Sequence, residues 1–274
     1  MRLYAGCAMW THRAWPSGGL GAYATWCNAV EGNTTFYATP SAATVRSWAD
    51  QTGSEFRFLF KLPKSITHEL RLTGADTQLR HFLTAIAPLG ERARTLWIQL
   101  PASFGPDGLG ALAAFLRGRP GEHRYAVEVR HRAFFADPQW ERRLEDVLGE
   151  AGAEWVVFDT TVLFQTPPSS PAEREAQLRK PRLPRRQRAL TAHPVVRYIG
   201  RDDAEQTADG WHDWVGTVAD WLREGRRPTV FIHTPDNAEA PVLARRFHDD
   251  VRAHVPALDP LPEPAVPDEP LTLF

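Results

Sequence analysis

Charged side chains stand at the ends of most segments that the sequence predicts to be β-strands. They are three carboxylates and three cations, namely Glu31, Glu128, Asp159, Lys61, Arg130 and Arg197. A strand buried in a parallel sheet is almost entirely apolar, so a charge at its end needs an explanation. Carboxylates that lie close together can divide into a general acid and a general base, or they can hold a divalent metal ion. Alternatively, the opposite charges pair with one another and serve only the fold.

The three cations favour an anionic ligand. The planar guanidinium group matches phosphate oxygens two at a time, and lysine adds a point charge. We therefore expect Lys61, Arg130 and Arg197 to contact an anionic small molecule or a nucleic acid. Ion pairing with the three carboxylates is the alternative that the residues leave open.

Neutral polar residues extend this set. Asn33 stands two residues after Glu31, so both side chains are predicted on one face of the strand, and Gln99 ends another strand. Four histidines follow strand segments: His12, His68, His131 and His233. Histidine is the usual proton carrier near neutral pH and a common metal ligand. We predict catalytic roles for His68 and His233 and a ligand contact for His131. No HxH or HExxH spacing joins any two of them, so the cofactor stays unknown, with a divalent metal as one option.

Two tryptophans flank His12 in the segment after the first strand. Trp10 and Trp15 are predicted to cover the end of the sheet, and the alternative is that they stack on a base or a sugar. Trp10 is kept as a candidate ligand contact.

The order of predicted elements determines where all these side chains meet. Strands are predicted at 2–8, 29–34, 56–61, 95–100, 124–129, 154–159, 195–200 and 229–233. Helices are predicted at 42–50, 76–87, 109–116, 138–150, 210–223 and 238–254. Strands that alternate with helices form a parallel sheet, and eight such units favour a closed (β/α)8 barrel of the TIM type. In that fold the carboxyl ends of the strands form the active face. No GxGxxG follows the first strand, which disfavours a dinucleotide-binding domain.

Size and composition fit a single barrel. The chain has 274 residues, and residues 1–254 are predicted to form the barrel. Its two cysteines, Cys7 and Cys27, cannot provide a disulfide framework, which indicates a reducing compartment. No segment approaches the roughly 18 apolar residues of a membrane-spanning helix. We therefore expect a cytoplasmic protein without membrane association. The formal net charge of −1 argues neither for nor against a polyanionic partner.

Two segments lie outside the regular alternation. Residues 166–194 carry seven basic and two acidic side chains, and this insertion is predicted either to follow a phosphodiester backbone or to be a solvated, partly disordered loop. Residues 255–274 contain six prolines and four acids and are predicted to form an extended, mobile arm. The arm ends in Leu271, Leu273 and Phe274. This Leu-x-Leu-Phe end resembles the peptides that bacterial replication and repair proteins insert into the sliding clamp, so we predict that it docks a partner.

Several blocks of sequence resemble a known family. They are GC at 6–7 with Trp10, VEGNTTFY at 30–37, FLFK at 58–61, QLP at 99–101, AVEVRH at 126–131, VRY at 196–198 and FIHTPDN at 231–237. Together they resemble the YecE-like family, domain of unknown function 72, over about residues 3 to 250. The resemblance implies a TIM-type barrel and a set of positions, to which Asp236 and Asn237 belong as candidate ligand contacts, but no reaction. Similar members often have His-Gly after the arginine of strand seven, where this chain has Tyr198-Ile199-Gly200, and Phe-Asn-Asn near strand eight, where it has HTPDN at 233–237.

These observations support three functional hypotheses. The first is a hydrolase or lyase that acts on a phosphate-bearing ligand, either nucleic acid or a nucleotide. The second is a non-catalytic accessory module that binds DNA through the insertion and a partner such as the sliding clamp through its C-terminus. The third is a sugar isomerase or epimerase, which opposing carboxylates with a metal would favour. Barrel folds host many chemistries, so the fold alone does not decide among them.

Overall fold

Nine parallel strands form one sheet. A computed structural model describes residues 1–119 and 121–264. The strands are β1 (Tyr4–Cys7), β2 (Ala29–Gly32), β3 (Arg57–Lys61), β4 (Thr95–Gln99), β5 (Arg124–Glu128), β6 (Glu154–Trp155), β7 (Val157–Asp159), β8 (Val195–Ile199) and β9 (Thr229–His233). Their order in the sheet is β6-β5-β4-β3-β2-β1-β9-β8-β7. Each strand is short and buried, as expected for a sheet that helices cover.

The sixth predicted strand closes the barrel. It was expected to run without a break, but Val156 interrupts it and separates β6 from β7. The first half pairs with β5 and the second half pairs with β8. One bent strand therefore bridges the two edges of the sheet, and the nine segments form eight strand units. The prediction of a TIM-type (β/α)8 barrel is confirmed.

Helices surround the sheet. They are α1 (Gly19–Tyr23), α2 (Thr34–Tyr37), α3 (Ala42–Asp50), α4 (Asp76–Ile86), α5 (Leu109–Arg117), α6 (Ala133–Ala136), α7 (Pro138–Glu150), α8 (Pro171–Arg179), α9 (Ala204–Gly210), α10 (His212–Arg223) and α11 (Ala240–His254). Short 3-10 helices lie at Ala87–Ala93, Pro106–Gly108 and Val162–Phe164, and a π-helical turn lies at Ser65–Glu69. Helix α7 shows how sequence sets these bounds. Asp137 accepts a hydrogen bond from the Gln139 amide at 2.8 Å, Pro138 opens the first turn, and Leu144 and Leu148 face the core.

One apolar layer fills the middle of the barrel. It consists of Tyr4, Ala29, Leu59, Trp97, Ala126, Val156, Val195 and Phe231, and all eight are buried. Each strand places one member in this layer, while the residues on either side of it face the helices. Because side chains alternate along a strand, the residue two positions further on faces the barrel interior again. This spacing determines which side chains meet at the carboxyl ends.

The insertion and the start of the tail are more ordered than the sequence indicated. The insertion contains α8, whose Glu173 is fully buried and paired with Arg201. In the tail, Val255, Leu258 and Leu261 are buried against the barrel. The first part of the predicted arm, up to Leu261, therefore packs on the barrel through these apolar side chains, and the extended, mobile arm stays a prediction for the rest. No helix in the described part of the chain is long and apolar enough to cross a membrane.

Gly6 in β1 provides a test of this close packing. The Tyr23 hydroxyl accepts a hydrogen bond from the Cys7 amide at 2.9 Å and donates one to the Ala29 carbonyl at 2.7 Å. A β-carbon at Gly6 would press on that carbonyl and lie 2.8 Å from the hydroxyl. We expect Gly6→Ala to destabilise the protein by about 1–3 kcal/mol or more in denaturant unfolding. The control is Gly110→Ala in α5, where the new methyl group meets nothing within 4 Å and should stabilise by about 1 kcal/mol. Equal effects of the two changes would contradict the packing described.

Candidate functional site

A layer of polar side chains lies directly above the apolar layer. Its members follow the apolar residues by two positions and are Glu31, Lys61, Gln99, Glu128, Arg197 and His233. All six are buried, with at most 8% of the residue surface exposed. Burial of so many polar groups is unfavourable unless each finds a partner. These six side chains are therefore expected to bond to one another or to nearby polar groups.

Glu31 is the hub of the polar layer. Its Oε1 lies 2.7 Å from Nζ of Lys61, and its Oε2 lies 3.0 Å from Nε of Arg197. Nε2 of His233 lies 2.8 Å from the same Oε2. A carboxylate accepts only, so His233 donates its Nε2 hydrogen there. Four strands thus converge on one carboxylate.

The pKa values show which charges the network favours. Burial alone would raise the pKa of Glu31, but Arg197, Lys61 and His233 outweigh it and hold that pKa well below its usual range. Burial and the charge of Arg197 lower the pKa of His233 to about 4, so the imidazole is neutral near pH 7. Burial, with Arg197 nearby, also lowers the pKa of Lys61 to about 8 despite its contact with Glu31. The network therefore holds one ionised carboxylate between two cations and a neutral histidine.

Glu128 forms a second ion pair, through only one of its two carboxylate oxygens. Its Oε1 accepts a hydrogen bond from Nε of Arg130 at 2.6 Å. Its buried Oε2 has no hydrogen-bond partner within residues 1–119 and 121–264. Burial acts to raise the pKa of Glu128, but Arg130, Arg197 and Lys61 lower it overall. Glu128 is therefore an ionised carboxylate with one oxygen available to a donor.

Aromatic rings support the cations. The guanidinium carbons of Arg130 and Arg197 lie 5.5 and 5.3 Å from the ring centre of Phe158. Trp97 lies below, 5.1 Å from Nζ of Lys61, and that nitrogen also donates to Oε1 of Gln99 at 2.8 Å. Cations over aromatic faces are stabilised without being neutralised. The positive charges are thus held in place while remaining available to a ligand.

Lys180 joins this site from the insertion and was not singled out as a site residue from the sequence. It immediately follows α8 and is half-buried. Burial lowers the pKa of Lys180 to about 7, and the charges of Arg197 and Arg130 add to the effect. The sequence showed Lys180 only as one of seven basic residues of the insertion. No spacing rule connects it with strands that lie far away in the chain.

Two predicted site residues face elsewhere. Asp159 was expected beside the other carboxylates, but its Oδ2 accepts a hydrogen bond from Nε1 of Trp214 in α10 at 2.7 Å. Val156 belongs to the inner layer, so Phe158 faces inward and Asp159 faces the helices. Asn33 was expected beside Glu31. The strand ends at Gly32, and the Asn33 amide instead donates to the Ala8 carbonyl at 2.8 Å.

Two histidines of the active face lie at or beyond its rim. His68 packs edge-on against Phe36, with ring centres 5.0 Å apart, and its Nδ1 lies 2.9 Å from the Thr67 hydroxyl. Burial lowers the pKa of His68, and Arg130 is close enough to contribute. His131 caps the local chain, because its Nδ1 accepts from the Ala133 amide at 3.2 Å. Of the predicted histidines, only His233 belongs to the buried network.

The loop after β9 and the loop after β1 frame this end of the barrel. Asp236 Oδ1 accepts from the Ala238 amide at 2.9 Å and so serves the turn. Asn237 adopts a positive φ of 59°, and its buried Oδ1 lacks a partner in the described part of the chain. Trp10 packs edge-on against Trp48 at 5.5 Å and borders an apolar cavity of about 230 Å³ that Trp15 also lines. These residues surround the polar layer without bonding to it.

The described residues show little basis for a metal or for a free basic surface. No group of three or more His, Cys, Asp or Glu side chains in residues 1–119 and 121–264 is arranged to hold a metal ion. In the insertion, four arginines form ion pairs with acids: Arg179, Arg185, Arg186 and Arg188. This pairing reduces the charge that could follow a phosphodiester backbone. The predicted partner-binding residues, Leu271, Leu273 and Phe274, lie outside the described residues, so docking to the clamp stays a prediction.

Comparison with known proteins identifies the family. A family model described as "Protein of unknown function DUF72" matches residues 4–268. The UPF0759 protein YecE of Escherichia coli strain K12 is 38% identical over 270 residues, which cover 97% of this chain and 98% of that protein. The YecE protein of E. coli O157:H7 matches equally. The chain belongs to the DUF72 family.

Solved structures of DUF72 proteins share the barrel. A DUF72 family protein of Enterococcus faecalis V583 matches with a TM-score of 0.71 at 16% sequence identity, covering 91% of this chain and 95% of that one. A DUF72 family protein of Thermotoga maritima MSB8 matches with a TM-score of 0.63 at 19% identity, covering 91% and 98%. At these identities the likeness concerns the fold alone. The barrel that the YecE-like resemblance implied is therefore confirmed as a DUF72 barrel.

Replacing Glu31 tests whether the ion-pair network holds this end together. Glu31→Gln removes the carboxylate and leaves Lys61 and Arg197 buried without their counter-charge. Breaking a buried pair on one side costs about 3–5 kcal/mol, so we expect a loss of that size in the free energy of unfolding measured with guanidinium chloride. Glu175→Gln is the control, because its pair with Arg179 is exposed and should contribute little. A Glu31 variant as stable as the parent would show that the network is not needed for stability.

Proposed function

We propose that the carboxyl end of this DUF72 barrel binds a phosphate-bearing ligand, a nucleotide or a nucleic acid. The charge balance at this end of the barrel carries the proposal. The buried layer has two cations, Lys61 and Arg197, and two carboxylates, Glu31 and Glu128, and the partly buried Arg130 adds a third cation. Pairing within the fold alone would not require this third cation, because two cations already balance the two carboxylates. The surplus favours the binding of an anion.

The unused donors of two arginines support this proposal. Arg130 and Arg197 each hold a carboxylate through Nε, at 2.6 and 3.0 Å. Their terminal nitrogens are not used in those pairs, so they can donate to anion oxygens. Both guanidinium groups lie within 5.5 Å of the ring centre of Phe158 and are therefore near each other. A phosphoryl group bound there would contact the guanidinium groups of Arg130 and Arg197 and the amino group of Lys180.

We further propose that this end of the barrel carries out acid–base chemistry of a hydrolase or lyase. A group whose pKa lies near neutral pH is best suited to move protons, and the pKa of Lys180 is about 7. The free Oε2 of Glu128 offers an acceptor close to the cations. Lys180 and Glu128 are therefore the pair that we assign to proton transfer.

Anion binding should depend on pH through Lys180. A bound anion favours the protonated lysine, so affinity should rise as pH falls through about 7 and weaken above it. Sulfate is the suitable probe because it remains a dianion throughout this range. We expect Lys180→Gln to weaken sulfate binding about tenfold and to remove most of the pH dependence, as measured by calorimetry.

Arg179→Gln provides the matched control for Lys180. Arg179 is the preceding residue, and its side chain is 78% exposed and paired with Glu175. Its replacement should leave the affinity and its pH dependence unchanged. Lys180 is more informative than Arg197, because Arg197 also holds Glu31. If the Lys180 and Arg179 variants bound sulfate as tightly as the parent, the proposed anion site would be wrong.

Glu128→Gln tests the chemical step separately from binding. In a screen of phosphate monoesters and diesters followed by release of product, the parent should turn over at least one compound. The variant should still bind that compound, because removal of a negative charge does not oppose an anion, while turnover should fall by about 10²-fold or more. Binding of DNA without turnover of any ester would instead support the accessory-module hypothesis.

A further inference from the structure

The two-residue spacing also bears on the opposite end of the barrel. Counting back two positions from the eight members of the apolar layer gives Arg2, Cys27, Arg57, Thr95, Arg124, Glu154, His193 and Thr229. Five of these residues, namely Arg57, Thr95, Arg124, His193 and Thr229, line one cavity at the amino ends of the strands. The floor of this cavity includes Tyr4, Leu59 and Val195.

Two further arginines complete the wall of this cavity. Arg94 directly precedes β4, and Arg227 lies shortly before β9. The cavity holds about 60 Å³ and continues into an open depression of about 400 Å³ that shares Tyr4, Arg57 and Arg227. A space of this kind suits a small ion with a group that extends into solvent.

The cavity is rich in positive charge. Four arginines line it, and Glu91, which pairs with Arg94, is its single acid. Within the described residues, the guanidinium groups of Arg124 and Arg227 have no ion pair or hydrogen bond. The buried Nε of Arg94 also lacks an acceptor there. These donors of Arg94, Arg124 and Arg227 are therefore available to an anion.

The electrostatic consequence is visible in the neighbouring groups. Burial, together with Arg124, Arg227 and Arg94, lowers the pKa of His193 to about 4. Burial, with Arg94 and Arg227 nearby, likewise lowers the pKa of Arg124. Both directions mean that additional positive charge is unfavourable in this cavity, and a bound anion would relieve that repulsion.

We propose that the amino end of the barrel is a second anion site, which takes the phosphoryl group of a small molecule between Arg57, Arg94, Arg124 and Arg227. It is independent of the proposed function at the carboxyl end, because the apolar layer separates the two. The shared chemistry is a polyvalent oxyanion, either as a free ion or as part of a larger molecule such as a nucleotide. The arginines provide paired donors, and the cavity limits the size of the bound group.

The experiment uses His193 as a built-in reporter. Histidine signals of the full-length chain are followed by NMR across pH, and His193 is assigned by the signal that His193→Asn removes. With inorganic pyrophosphate present, the pKa of His193 should rise from about 4 toward the ordinary histidine value of roughly 6.5. Inorganic phosphate and a nucleoside monophosphate form two further arms. A response to either shows whether the free ion or the group on a larger molecule enters, and an unchanged pKa with all three overturns the proposal.

Variants locate the binding. The double variant Arg124→Gln with Arg227→Gln should weaken pyrophosphate binding at this cavity about tenfold or more and abolish the His193 response. The double variant Arg46→Gln with Arg80→Gln removes an equal charge from exposed positions of α3 and α4 and should change nothing. Lys180→Gln should leave the His193 response intact, which separates this cavity from the carboxyl end. An unaltered response in the double variant overturns the assignment, and if that variant fails to fold, the titration of the parent protein decides.

Discussion

The structure depends on the burial of one carboxylate. Glu31 has no exposed surface, and its ionised form exists only because Lys61, Arg197 and His233 surround it. These partners lie on β3, β8 and β9, so the contacts require strands that are far apart in sequence to reach their registers together. An isolated buried charge is very unfavourable, so the carboxyl end of the barrel is unstable when only some of these strands are in place. The ion pairs of Glu31 that make the carboxyl end of the barrel rigid also orient the groups to which a ligand would bind.

Rigidity and surplus charge are separate properties of this end of the barrel. Both oxygens of Glu31 have ion-pair contacts within the protein, whereas Glu128 has one only at Oε1, and Arg130 and Arg197 use only their Nε atoms in ion pairs. Glu31 therefore serves the structure, whereas Glu128, Arg130 and Arg197 keep donors and acceptors that a ligand could use. Lys180 comes from a different element, whose position depends on the buried pair of Glu173 and Arg201. The insertion thus adds positive charge to the carboxyl end of the barrel, and its ion pair with Arg201 holds it against the barrel.

The sequence predicted which end of the barrel carries the polar cluster, and it predicted the members of that cluster in part. A polar residue at the end of a buried strand needs partners, and this reasoning identified Glu31, Lys61, Glu128 and Arg197 correctly as members of one cluster. It did not indicate which face of strand six points inward, because both faces of that strand are apolar, and Asp159 was therefore misplaced. The proximity of Lys180 to this cluster could not be predicted from the sequence for another reason. Its position follows from contacts of the insertion, such as that of Glu173 with Arg201, that only the folded chain creates.

The apolar layer has a consequence for how this family can vary. Both ends of the barrel are set by one count along each strand, two residues up and two residues down from the same central position. Within β3 or β5, which carry a charged side chain at both ends, a single inserted or deleted residue would turn the charged side chain at one end toward the helices. A change of residue type at either end leaves this count intact, whereas a change in strand length does not. Changes in length are confined to the loops, where a basic insertion of the kind that carries Lys180 can be gained without disturbing that count.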